Sequence, residues 1–91
     1  MVGHTKDGFE VNVDERILND WRFTMTVATI QSGSDMEKVV AAGNLVDLLL
    51  GEEGKKALMD HISAKNDGFI PAEDVMVSVT EIIDSCKETK N

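Results

Sequence analysis

Apolar positions change their spacing at residue 14. Before it, Phe9, Val11 and Val13 alternate with Glu10 and Asn12, the period of two that marks a half-buried strand. Val2 to Thr5 and Phe9 to Val13 flank Lys6-Asp7-Gly8, and Asp-Gly between two such runs is a hairpin signal. A short hairpin or extended segment is expected over 1–13. Two strands alone are marginal, so this segment must lean on other elements.

From Asp14 onward the spacing is helical. Asp14 is a good N-cap, with Glu15 well placed in the first turn. Ile17, Leu18, Trp21, Met25 and Ala28 fall within about a 100° arc, which predicts one helix ending at Gly33. Ser34-Asp35-Met36-Glu37 is a capping box opening a second helix over 35–50, closed by Gly51. A third is expected over about 52–64, with Asn66-Asp67-Gly68 as its terminator. Pro71 suits the first turn of a fourth, where Ala72, Val75, Met76, Val79, Ile82, Ile83 and Cys86 keep i, i+3, i+4, i+7 spacing. Four helices on short connections predict an all-α, four-helix bundle-like domain behind the hairpin. The chain reads as one domain, 1–91, helical from residue 14.

The first two predicted helices are apolar on more than one side. Phe23, Val27 and Ile30 form a second row roughly opposite Ile17, Trp21 and Met25. Ala41, Leu45 and Leu48 lie away from the Met36, Val40 and Gly43 side. Either both helices sit centrally and are wrapped by the others, or they offer a protein–protein surface. Phe23, Val27, Ile30, Leu45 and Leu48 are the candidate partner or self-association contacts.

Composition narrows the classes. Ninety-one residues with 42 % hydrophobic and 29 % charged make a globular domain rather than a disordered chain. Seventeen acidic against nine basic residues give a net charge of -8, which disfavours nucleic acid and anionic membranes as partners. The longest mostly apolar run, Val39 to Leu50, is too short to span a bilayer. The N-terminal residues lack an apolar signal core, which predicts a cytoplasmic protein. Cys86 is the single cysteine, so no internal disulfide forms.

With Gly68 at position 6 of an EF-hand loop, Ser63 and Lys65 would stand at positions 1 and 3 and Asp74 at position 12. Acids and a terminal Glu are required there, and a Lys repels the cation, so the segment reads as a helix terminator. Ser34-Asp35 inverts the Asp-Ser order of acyl-carrier proteins and is better explained as a cap. His61 falls beside Leu58 and Ile62 as a packed or hydrogen-bonded side chain, and Cys86 reads as a small buried hydrophobe. No zinc spacing or phosphate-cradling loop is present. The reading is therefore of a non-enzyme, with no catalytic, cofactor or metal residues.

Chain order adds a resemblance. Phe9 to Phe23 is a strand, an acidic cap and a helix carrying Asp20-Trp21; Leu45 to Gly54 and Lys65 to Glu73 follow at set distances. Over about residues 9 to 91 this resembles the tail assembly chaperones of long-tailed (siphovirus-type) phages and prophages. The Thr-rich stretch from Thr24 to Thr29 departs from the usual family pattern. The resemblance implies a mostly helical, self-associating factor of the bacterial host cytoplasm that is absent from the mature virion. It implies binding to the tape measure protein and recruitment of tail tube subunits. In many such phages a frameshift near the end of this gene yields a longer fusion, and Lys90-Asn91 is the candidate slip region here, whether or not such a product exists. Met25, Met36, Met59 and Met76 would add adaptable contact area. The rival readings are an acidic DNA mimic that inhibits a nucleic-acid-binding protein and, behind it, an acyl-carrier-like protein.

Overall fold

The computed structural model describes residues 1–89 of the chain; Lys90 and Asn91, on which the frameshift expectation falls, lie outside the described residues. Val2–His4 (β1) and Glu10–Asn12 (β2) pair antiparallel, with Gly3 opposite Val11. The turn is closed by Thr5 N–H donating to the Phe9 carbonyl (2.9 Å) and Gly8 N–H donating to the Thr5 carbonyl (3.2 Å). Phe9 and Val13 are buried and Val11 is half-buried, as the alternation predicts.

The hairpin leans on a helix through its backbone. His4 N–H donates to Ser85 Oγ (2.9 Å) and Lys6 N–H to Glu81 Oε1 (3.0 Å). Two strand residues span about 6.7 Å and four helical residues about 6 Å, so two side chains one turn apart can meet alternate N–H groups of a strand edge. An edge that would otherwise seek another strand is thereby satisfied within the chain.

The first helical region is divided. Asp14 caps a 3-10 turn over Glu15–Asn19, and helix α1 (Trp21–Ser32) begins afresh after it. Asp20 causes the break: its backbone N–H donates to the Ile17 carbonyl (3.0 Å), while its carboxylate accepts from Arg22 N–H (2.8 Å). A side chain that caps a helix start competes with continued helix at its own position. The continuous helix expected from Asp14 is corrected to a turn followed by a twelve-residue helix.

The expected capping box opens helix α2 (Asp35–Lys65): Glu37 N–H donates to Ser34 Oγ (3.2 Å) and Ser34 N–H donates to Glu37 Oε1 (2.8 Å). Gly51 breaks this helix where the sequence predicts a stop. It adopts φ 69° and ψ -179°, a conformation open essentially to glycine alone, and the helix resumes at once in a new direction. The second and third expected helices are therefore two arms of one kinked element. After a short turn, helix α3 (Ala72–Thr89) starts with Val75 N–H donating to the Pro71 carbonyl (3.3 Å). Asn66 Nδ2 ties the two helices by donating to the Ile62 carbonyl (2.8 Å) and to Asp74 Oδ2 (3.1 Å).

The fold is mostly helical, with three helices, the longest of them kinked at Gly51, and a short two-stranded antiparallel sheet among the described residues. Its most deeply buried side chains, Leu58, Ile62, Ile82, Cys86, Val13 and Val46, come from the second arm of α2, α3, the end of the hairpin and the first arm. Gly3 permits this closeness, since a Cβ there would lie 2.7 Å from Ile82 Cγ2. The hairpin loop is pinned to the second arm by Asp7, which accepts from Lys65 Nζ and Thr5 Oγ1 and sits 3.0 Å from His61 Nε2. Phe9 lies against the His61 ring, with centroids 5.1 Å apart.

Gly51→Ala is expected to lower unfolding free energy by about 1–3 kcal/mol, because alanine resists that backbone conformation; urea titration followed by circular dichroism measures it. Hydrogen bonds from Lys65, then Thr5 and His61, hold the Asp7 carboxyl well below the usual carboxylate range. A depressed folded value means the carboxylate stabilises above about pH 4 and loses this effect as pH falls below it. Asp7→Asn should therefore cost no more than about 1 kcal/mol at pH 7, the scale of a partly exposed ion pair, and distinctly less at pH 3. Thermal unfolding of both proteins at the two pH values tests this.

Candidate functional site: an apolar groove between α1 and α3

The first arm of α2 carries Ala42, Leu45, Val46 and Leu49 on its buried side. Against it α1 lays Phe23, Val27 and Ile30, spaced i, i+4 and i+7 on one face. On the other flank α3 lays Met76, Val79 and Ile83, again at i, i+3 and i+7. Between these two rows runs a groove of about 260 Å³ with Ala42 and Leu45 among its lining residues. Its polar lining is Gln31, Thr80, Asp84 and Lys87.

Four of the five candidate contacts line this one groove: Phe23, Val27, Ile30 and Leu45. They do so largely as core residues. Phe23 is 6 % exposed and Leu45 2 %, while Val27 and Ile30 are half-buried against the core. Leu48 is half-buried and does not line the groove. The other wall comes from the apolar stripe of α3, of which buried Val79 and half-buried Met76 and Ile83 line the groove.

The two rows of the first helical region are reversed from expectation. Ile17 and Leu18, in the 3-10 turn, do pack against the core. Beyond the break at Asp20 the expected inner row faces outward: Trp21 is 73 % exposed and Met25 and Ala28 are also exposed. Restarting the helix at Asp20 gives α1 its own phase, and Phe23, Val27 and Ile30 become the inner face.

The remaining chemical candidates have structural places. His61 packs on Phe9 and meets Asp7, and exposed His4 presents its backbone N–H to Ser85. Cys86 is fully buried, and that burial pushes its thiol up from the ordinary value, away from the nucleophilic thiolate. Asp74, the last position of the EF-hand reading, accepts a hydrogen bond from Asn66. Among the described residues no group of three or more His, Cys, Asp or Glu is placed to hold a metal ion. Nor is any of their helices long and apolar enough to cross a membrane.

No family model matches the chain, and neither does any curated protein or solved structure. Functional assignment rests on the groove and on the sequence resemblance.

The reversed phase of α1 is directly measurable. Phe23→Ala should destabilise the protein by about 3–5 kcal/mol, as expected for a buried aromatic. Trp21→Ala should stay within about 0.5 kcal/mol, since it removes an exposed side chain. Denaturant unfolding of the two variants, with the larger loss at Trp21, would reject this placement.

Proposed function

We propose that the protein is a non-enzymatic tail assembly chaperone of a siphovirus-type phage or prophage, receiving a helical segment of the tape measure protein in the groove between α1 and α3. The observation that carries this reading is the groove itself, mainly apolar and walled by α1 and α3. An amphipathic helix laid into such a groove is a recurring recognition mode, with anchors at i, i+3, i+4 and i+7. Met76 on one wall supplies the unbranched, adaptable contact that suits clients of varied sequence.

Charge supports the same reading. A chain of net charge -8 favours a client segment with basic flanks and discourages contacts with nucleic acid. In this reading the chaperone acts in the bacterial host cytoplasm, self-associates, helps recruit tail tube subunits, and is absent from the mature virion. The sequence resemblance over about residues 9 to 91 supports the tape measure protein as the client, and the apolar groove supports a helical segment as what is bound.

Co-expression with a siphovirus tape measure protein, followed by pull-down, tests the proposal. The wild-type chain should retain the tape measure protein. Ile83→Glu and Met76→Glu, both at half-buried groove positions, should weaken retention roughly tenfold or more while the circular dichroism spectrum is preserved. Retention of a DNA-binding protein instead, or undiminished tape measure binding by the folded variants, would overturn it.

A further inference from the structure

The outward face of α1 is unusual for an acidic protein. Between Phe23 and Ser32 the helix carries no charged residue at all, in a chain that is 29 % charged. A solvent-facing helix surface normally carries charges. Its hydroxyls do not restore polarity. Thr26 Oγ1 donates to the Arg22 carbonyl (2.7 Å), Thr29 Oγ1 to the Met25 carbonyl (3.0 Å) and Ser32 Oγ to the Ala28 carbonyl (2.9 Å). With their donors turned back onto the helix, the threonines have no proton left to offer a partner or water.

This face continues onto α2. Met25 and Thr29 share a surface groove with Met36 and Val40, which follow the capping box. Met36 is 74 % exposed and Val40 57 %, and Trp21 stands one helical turn before Met25. Glu37 and Asn44 also line that groove, the Glu37 carboxylate accepting from the Ser34 N–H, and Arg22 is paired with Asp20.

We infer that this α1–α2 face, centred on Trp21, Met25, Met36 and Val40, is a self-association surface that joins two copies of the chain about a two-fold axis. An isologous contact places a patch against itself, so a mainly apolar patch suits it. Two chains of -8 repel, and this face, with Trp21, Met25, Met36 and Val40 exposed, is where they can approach. Size agrees as well. The exposed portions of these side chains, with Val39 beside them, amount to on the order of 500 Å² of apolar surface. A standard interface buries roughly 800 Å² per partner, somewhat under 60 % of it non-polar, which matches. The inference names the surface behind the self-association proposed above, but it uses side-chain placement alone and does not depend on the identity of the client.

Sedimentation velocity on the full chain, from micromolar to submillimolar concentration, decides it. The wild type should form a dimer that strengthens with added salt, because screening removes repulsion while the contact itself is apolar. Met25→Glu with Met36→Glu should weaken dimerisation by more than about tenfold, since buried like charges oppose each other across the axis. Met36→Lys, altering a single exposed side chain, is the second variant should the double one lose its circular dichroism signal. A monomeric wild type, a dimer that salt dissolves, or a dimer undiminished in the folded variants would overturn the inference. Ile83→Glu separates the two proposals: it should leave the dimer intact whether or not it affects client binding.

Discussion

The molecule depends on one residue in a conformation open to glycine. At Gly51 the long helix α2 changes direction without a loop, so its two arms serve different neighbours. The first arm receives α1 and one flank of α3; the second holds the hairpin through Phe9, Asp7 and the close approach of Gly54 to Val11. Helix α3 spans both regions, lining the groove with Val79 and meeting Gly3 with Ile82 and Cys86. A straight α2 would carry the hairpin away from this junction, where the most deeply buried side chains lie.

The hairpin illustrates how a marginal element becomes part of a core. Two three-residue strands have little stability of their own. Here β1 is satisfied on one edge by β2 and on the other by Ser85 and Glu81 of α3. Its loop is drawn to the second arm of α2 by the charge-assisted contacts of Asp7. None of these contacts is strong in isolation. Together they seat Phe9 and Val13 among helix side chains, and the burial of those apolar groups supplies the main stabilisation.

Elements set by local chemistry were legible in the sequence. The Asp7-Gly8 turn, the Ser34/Glu37 capping box and the single apolar stripe of α3 each had one dominant reading. Features that depend on long-range packing were not. A glycine after Leu50 signals a break, but residue spacing does not say whether the helix stops or merely turns. The two apolar rows of the first helical region were nearly equivalent by periodicity, and which one faced inward was decided by Asp20 restarting the helix and by the neighbours available to it. Four candidate contacts were brought together at the groove for the same reason: their hydrophobicity was readable, their burial was not. The stretch from Thr24 to Thr29 looked polar by composition, and the hydroxyls of Thr26 and Thr29 donate back to the helix backbone.

Helix α1 is thus a wall shared by two surfaces. Its inner row, Phe23, Val27 and Ile30, closes one side of the groove, and its outer row, Trp21 and Met25, belongs to the face directed away from it. It packs on α2 more extensively than any other pair of elements pack on each other. A contact that fixes the outer row therefore acts on the inner row through one helix. Self-association through the outer face would then hold the groove open in its binding shape before a client arrives, reducing the ordering cost of binding. By linkage, a client seated in the groove would favour the paired chains by the same free energy. The two proposed activities of this small acidic protein are in that sense opposite sides of a single helix.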